Sequence, residues 1–197
     1  MADKPRSYDA VQTREGILSH AKVLFSKKGY GGVSISDICR AAGCSKGSIY
    51  HHFNSKEDLF IQLARSAFES SWDDWDKRSA GYASASDKVH AYAEQFARHA
   101  NLSLTKAGED FISSLPAGSE ALESFTKILT GYVKRFERLI EEGIDSGEFK
   151  SSNAAETAFI LLSCYSGLAG NVRMMDKEEA VKLYRTAAGI LLDGIRQ

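Results

Sequence analysis

The stretch Ser34-Ile35-Ser36-Asp37-Ile38-Cys39-Arg40-Ala41-Ala42-Gly43-Cys44-Ser45-Lys46-Gly47-Ser48-Ile49-Tyr50-His51-His52-Phe53 decides the fold. Ser34 followed three residues later by Asp37 is a helix start in which a hydroxyl and a carboxylate can each satisfy the other's backbone N–H. Ile35 and Ile38 supply the buried side, and Gly43 stops the helix after about two turns. Ser45 then caps a second short helix, Lys46 to Phe53, whose Ile49 and Phe53 point inward at i and i+4.

Upstream, Ile17, Leu18, Ala21, Leu24 and Phe25 share one face of a helix running from near Thr13 to Gly29. Downstream, Ser55 with Asp58 opens a much longer helix. Two short helices joined by a tight glycine-containing turn and packed on a longer first helix make a helix-turn-helix, whose second short helix lies in the DNA major groove. The exposed residues suit that task. Lys46, Ser48, Tyr50, His51 and His52 offer cationic, hydroxyl and ring donors, Gly47 removes a Cβ where a backbone comes close, and no acidic residue occurs between Asp37 and Glu57.

The ordered string Gly29-Tyr30 through Ser34, Asp37-Ile38, Ala42-Gly43, Ser45 through Tyr50, His52-Phe53, Ser55-Lys56-Glu57 and Leu59 closely resembles the DNA-binding domain of the TetR family of bacterial transcriptional regulators. The resemblance runs without a gap from about Thr13 to Leu63, a quarter of the chain. It departs at Cys39 and Cys44, where the family more often has Ala and Val, and at Gly16 inside the first helix, which costs roughly 1 kcal/mol of helix propensity. The resemblance implies that Lys46, Gly47 and Ser48, with Ser45 beside them, meet base edges or the groove wall. It implies that Tyr50, His51 and His52 meet phosphates, His51 sometimes a base, and that Lys56 is a phosphate lysine at a helix start. Ser34 and Ser36 resemble positions that touch the DNA backbone or an outer base. His52 has a second reading, as a residue that packs or caps within the domain.

Composition agrees with helices. The chain has 197 residues, 43% hydrophobic and 26% charged, with a formal charge of -1, which excludes disorder and fibrous repeats. Its 24 alanines nearly equal its 25 Val, Ile and Thr residues together, and proline occurs only at Pro5 and Pro116. Residues 1–56 hold 9 Lys/Arg against 4 Asp/Glu and residues 57–197 hold 16 against 22, so the near-zero total hides a basic first quarter able to approach phosphates. No stretch reaches the roughly 18 apolar residues of a membrane helix and the N-terminus is polar. A cytoplasmic protein without membrane contact is expected, nucleoid-associated when on DNA. Cys39, Cys44 and Cys164 are expected as free thiols, the first two as small buried hydrophobes with a redox role left open, and no metal or cofactor is expected.

Gly43-Cys44-Ser45-Lys46-Gly47 also satisfies G-x-S-x-G, the nucleophile elbow of serine hydrolases. That elbow needs a strand running into the turn, whereas here a helix precedes it, so no enzyme is expected.

From Ser55 onward the pattern predicts helices over residues 55–78, 87–102, 104–115, 120–146, 154–172 and 177–195, with no strand and no repeat. The expected fold is all-α. Residues 1–54 form a three-helix helix-turn-helix DNA-binding domain, and residues 55–197 a larger helical domain for effector binding and dimerisation, the completion the resemblance implies. Effector cavities are mainly apolar with a few polar anchors, so Trp72, Trp75, Tyr92, Phe96, His99 and Phe125 are the candidates. Asp74 projects onto the apolar side of its helix between Leu63 and Ala67, where a buried carboxylate needs a partner and would favour a cationic aromatic effector, while the other reading leaves it solvated near a fraying helix end. Residues 157–172 contain no charge, as expected of a helix covered on two sides. The resemblance pairs this helix and the last one into a dimer interface, with Leu161, Tyr165, Leu168, Leu183, Tyr184, Ala187, Ala188 and Leu191 as candidates. The expected partners are a roughly palindromic double-stranded DNA operator, a small-molecule effector and a second copy of the chain. A DNA-binding regulator without an effector is the alternative.

Overall fold

In the computed structural model the described residues are 6–99, 104–150 and 153–195, with the side chains of 6–12, 99 and 173 outside the description. They form α1 (Arg6–Lys28), α2 (Ile35–Ala42), α3 (Lys46–His52), α4 (Lys56–Ser79), α5 (Ala85–His99), α6 (Thr105–Ser114), α7 (Glu120–Asp145), α8 (Ala154–Asn171) and α9 (Lys177–Asp193), with a short 3-10 turn at Val172–Met174. Among the described residues no helix is long and apolar enough to cross a membrane. The all-α expectation holds, and the main shift is at α1, which begins well before Thr13.

The chain divides into two compact units. The first comprises the described residues through Ala67 together with Leu104–Phe125, and the second Phe68–Ser103 with Thr126 onward. The expected boundary after residue 54 falls inside the first unit, because Leu59, Phe60, Leu63 and Ala64 at the start of α4 are buried there. The Phe60 ring lies 5.0 Å from Phe25, 5.1 Å from Tyr30, 4.8 Å from Phe111 and 5.8 Å from Phe125. This aromatic knot draws α6 into the first unit, whereas the sequence assigned it to the second domain. Gly29 is required at the end of α1: its φ is +71°, and a Cβ there would lie 2.2 Å from the Asp110 carboxylate.

The second unit is built on Trp72, Trp75, Val89, Tyr92, Phe136, Ile140, Phe149, Leu161, Tyr165, Tyr184 and Leu192, all buried. Glu148 fixes the start of α5 by accepting from the backbone N–H groups of Ala85 and Ser86, both at 3.0 Å. Burial alone would push its carboxyl up, but the N–H donors and the Ser146 hydroxyl outweigh that and hold it below its ordinary 4.5.

Candidate nucleic-acid interface

The short helices are set by their ends. Ser34 accepts from the Asp37 N–H at 3.1 Å while the Asp37 carboxylate accepts from the Ser34 N–H at 3.0 Å, the reciprocal start the sequence indicated. Gly43 stops α2 at φ +64°. Two residues later the Ser45 hydroxyl accepts from the Ser48 N–H at 3.1 Å and starts α3. Ile49 and Phe53 are buried beneath it, at 0% and 1% exposure. A helix so short cannot hold itself, so its orientation depends on these caps and two anchors.

What remains outward on α3 is Lys46, Gly47, Tyr50 and His51, with Ser48 and His52 half-buried; at the start of α2 Ser34 is exposed and Ser36 half-buried. Lys46 makes no ion pair among the described residues, so its charge is free for a phosphate or a guanine edge. A Cβ on Gly47 would meet nothing closer than the Ser45 hydroxyl at 3.6 Å, ordinary contact. The fold therefore does not need glycine at that position, and the space it leaves opens outward.

Two expected phosphate contacts sit differently from their exposed neighbours. Lys56 lays its ammonium 4.0 Å from the centre of the Tyr30 ring, and burial lowers its pKa while Glu57 counteracts. His52 rests 6.2 Å from the Phe53 ring and 5.0 Å from the His51 ring. Burial, then repulsion from His51 and Arg14, lowers its pKa. Arg14 escaped the sequence reading. It donates to Gln62 Oε1 at 2.6 Å and lies 5.7 Å over the Phe53 ring, tying α1 to α4 and to the end of α3.

Ser45 is no nucleophile: its hydroxyl is a helix cap between two helices, and no strand leads into it. Cys39 and Cys44 are half-buried free thiols at the same turn.

Trp72, Trp75, Tyr92 and Phe96 come together in the core of the second unit. The Tyr92 ring lies 5.2 Å from both indoles and 4.9 Å from Phe136, and Phe96 lies 5.9 Å from Tyr165 and from Tyr184. Burial pushes the Tyr92 phenol well up and Tyr132 to about 12, so this pair of hydrogen-bonded hydroxyls stays protonated. The Trp72 indole N–H and the Tyr165 hydroxyl are buried without a hydrogen-bond partner among the described residues. Phe125 belongs to the knot of the first unit instead. His99 has its side chain outside the described residues.

Asp74 corrects the expectation: it is exposed. The buried stripe of α4 turns by roughly 100° between Leu59–Ala64 and Phe68–Trp75, and a wheel that averages the whole helix places Asp74 on the first stripe after that stripe has ended. On the last helices Leu161, Tyr165, Tyr184 and Ala188 are likewise corrected, being buried in the protomer's own core. Leu168, Leu183, Ala187 and Leu191 are half-buried. The apolar residues left outward are Phe159 at 62%, Ile160 at 54% and Ile190 at 69% exposure.

Comparison with known proteins finds family matches over most of the chain. Residues 17–63 match the family model described as bacterial regulatory proteins, tetR family, and residues 68–197 match the C-terminal region of QacR-like proteins. The transcriptional regulator QacR of Staphylococcus aureus is 25% identical over 184 residues, 92% of this chain and 97% of that protein. The chain superposes on the regulator FadR of Bacillus subtilis, solved with stearoyl-CoA, with a TM-score of 0.77 at 23% identity over 92% of this chain and 99% of that one. A regulator of Saccharomonospora viridis, solved with choline, gives 0.76 at 20% identity over 95% and 99%.

Proposed function

The chain belongs to the TetR family of DNA-binding transcriptional regulators, and from that membership we propose that it is a homodimeric repressor, held on a palindromic operator through α3 and released by a small-molecule effector. The observation that carries the operator contact is the outward surface of α3, where Lys46, Tyr50 and His51 surround an open Gly47 on a helix fixed by Ser45, Ile49 and Phe53. Ser34 and Ser36 flank it from α2, and Lys56 and His52 line its margin.

The dimer forms through the outward faces of α8 and α9. At about 100° per residue Phe159, Ile160, Ser163, Gly167 and Gly170 fall on one side of α8, and Leu183, Thr186, Ala187 and Ile190 on one side of α9. Exposed apolar residues in that register favour an isologous interface.

The effector enters the aromatic core of the second unit. Solved relatives carry an acyl-CoA and a choline on the same fold, so its chemistry follows from this chain's own residues. Arg135 already lies 5.8 Å over the Trp72 ring, and the Asp74 carboxylate expected beside the indoles is exposed instead. The unpartnered Trp72 N–H and Tyr165 hydroxyl call for acceptors. The reading is an aromatic effector carrying hydrogen-bond acceptors, which shifts the population of protomer arrangements away from the DNA-competent one.

Selection of binding duplexes from a randomised pool tests the operator contact. Enrichment of a two-fold symmetric sequence is expected, and a pool that never enriches would count against it. A compound that quenches the indole fluorescence and releases the selected duplex supports the effector; if none does, the chain regulates without one.

A further inference from the structure

The turn of the helix-turn-helix carries two thiols where its geometry brings side chains together. At a left-handed helix stop, the N–H of the residue after the glycine bonds to the carbonyl five positions back, and the side chains of those two residues customarily meet in an apolar contact. Here the Cys44 N–H donates to the Cys39 carbonyl at 3.1 Å across Gly43. That bond holds the two Cα atoms within about 7 Å. Both residues are half-buried, so each keeps some access to solvent. Among the described residues no third His, Cys, Asp or Glu joins them to make a metal-binding group.

We propose that Cys39 and Cys44 form a two-sulfur site for a trivalent organoarsenical, and that its capture unseats the recognition helix. An arsenic atom with one carbon substituent has two exchangeable positions, which matches a site that offers two sulfurs and no third ligand. With phenylarsine oxide, two As–S bonds form as the As–O bonds break, and the oxygen leaves as water with both thiol protons. Arsenic stays trivalent and nothing is oxidised. Burial pushes the Cys44 thiol up, and the adjoining Cys39 sulfur adds to this by repulsion and by a hydrogen bond. The exchange gives both thiol protons to the departing water, so the raised Cys44 pKa slows sulfur attack, which goes through the thiolate, without changing the product. Cys44 directly precedes Ser45, the cap of α3, so a ring closed through both sulfurs changes the turn that aims Lys46 and Tyr50.

The test uses the reduced full-length chain and phenylarsine oxide. Intact mass should show one phenylarsenic per chain with the loss of two thiols, resistant to excess 2-mercaptoethanol and reversed by 1,2-ethanedithiol. Cys39→Ala and Cys44→Val are small apolar replacements at a contact that is usually apolar, so both variants should fold. Each should weaken retention of the arsenical by about 100-fold or more, the loss expected when a two-point attachment becomes one-point. On a duplex selected in vitro for this protein, the arsenical should lower wild-type affinity at least about 10-fold and leave both variants unaffected. Equal retention by the variants, or an adduct that maps to Cys164, would overturn the site. An adduct that leaves DNA binding intact would overturn its coupling to the recognition helix. Unmodified protein that selects no duplex would instead count against the operator reading, while the mass result stands separately.

Discussion

Gly47 is the residue at which structure and function make opposite demands. The fold leaves room for a Cβ there, so Gly47→Ala should stabilise the free protein by about 0.5–1 kcal/mol through helix propensity. On a selected operator it should lose at least about 10-fold in affinity, because the methyl meets DNA. A thermal melt and a mobility-shift titration of the same variant read the two effects, and a variant that binds as wild type would remove Gly47 from the interface. Lys46→Ala should lose discrimination between operator and random duplex, as a base-reading lysine does. Lys56→Ala should weaken all duplexes alike and lower the magnitude of the salt slope by about one per subunit. An unchanged slope would mean that the ammonium over Tyr30 serves packing alone.

Helices in this chain are governed mostly at their ends. The caps at Ser34, Ser45, Asn153 and Asp176 were each followed by the expected helix start. The start of α5 adds a remote partner to its own cap: Ser84 accepts from the Asp87 N–H at 3.0 Å, while the Ala85 and Ser86 N–H groups go to Glu148, more than sixty residues away. Glu148 titrates below its ordinary 4.5 in the folded protein. Its contribution is therefore present in full above that value and is lost as pH falls through the lower, folded one. Glu148→Gln should destabilise the protein at pH 7 by about 1 kcal/mol, a figure reduced for its partial exposure. Denaturant melts of the two proteins should draw together as pH falls below 4.5 and converge once it passes the lower, folded value, and a constant gap down to strongly acidic pH would assign the effect to something other than the carboxylate.

At the scale of the whole molecule, the test of the dimer depends on which apolar residues the protomer leaves outside. Ile190→Glu and Phe159→Glu alter exposed positions, so each should give a folded monomer by sedimentation, with normal helix content and no cooperative operator binding. Ala188→Glu places a charge at a position with 0% exposure, and it should unfold the chain instead, because an unpaired buried charge is strongly destabilising. Folded dimers from Ile190→Glu and Phe159→Glu alike would move the interface elsewhere.

Sequence alone determined what depends on neighbours along the chain. Caps, glycine stops and short apolar periods act over three to five residues, which is why the helices, the helix-turn-helix and its outward residues were legible from residues 13–63. It could not determine which face of a long helix meets which core. The stripe of α4 changes direction midway, so Asp74 was assigned inward and lies outside. Nor could it divide the apolar residues of α8 and α9 between the protomer's own core and a partner, since hydrophobic attraction is not directional and both uses need the same residue types. Tertiary packing made those choices: it buried Tyr165 and Tyr184, left Phe159 and Ile190 exposed, and drew Phe111 of α6 into the first unit through contacts with Tyr30 and Phe60.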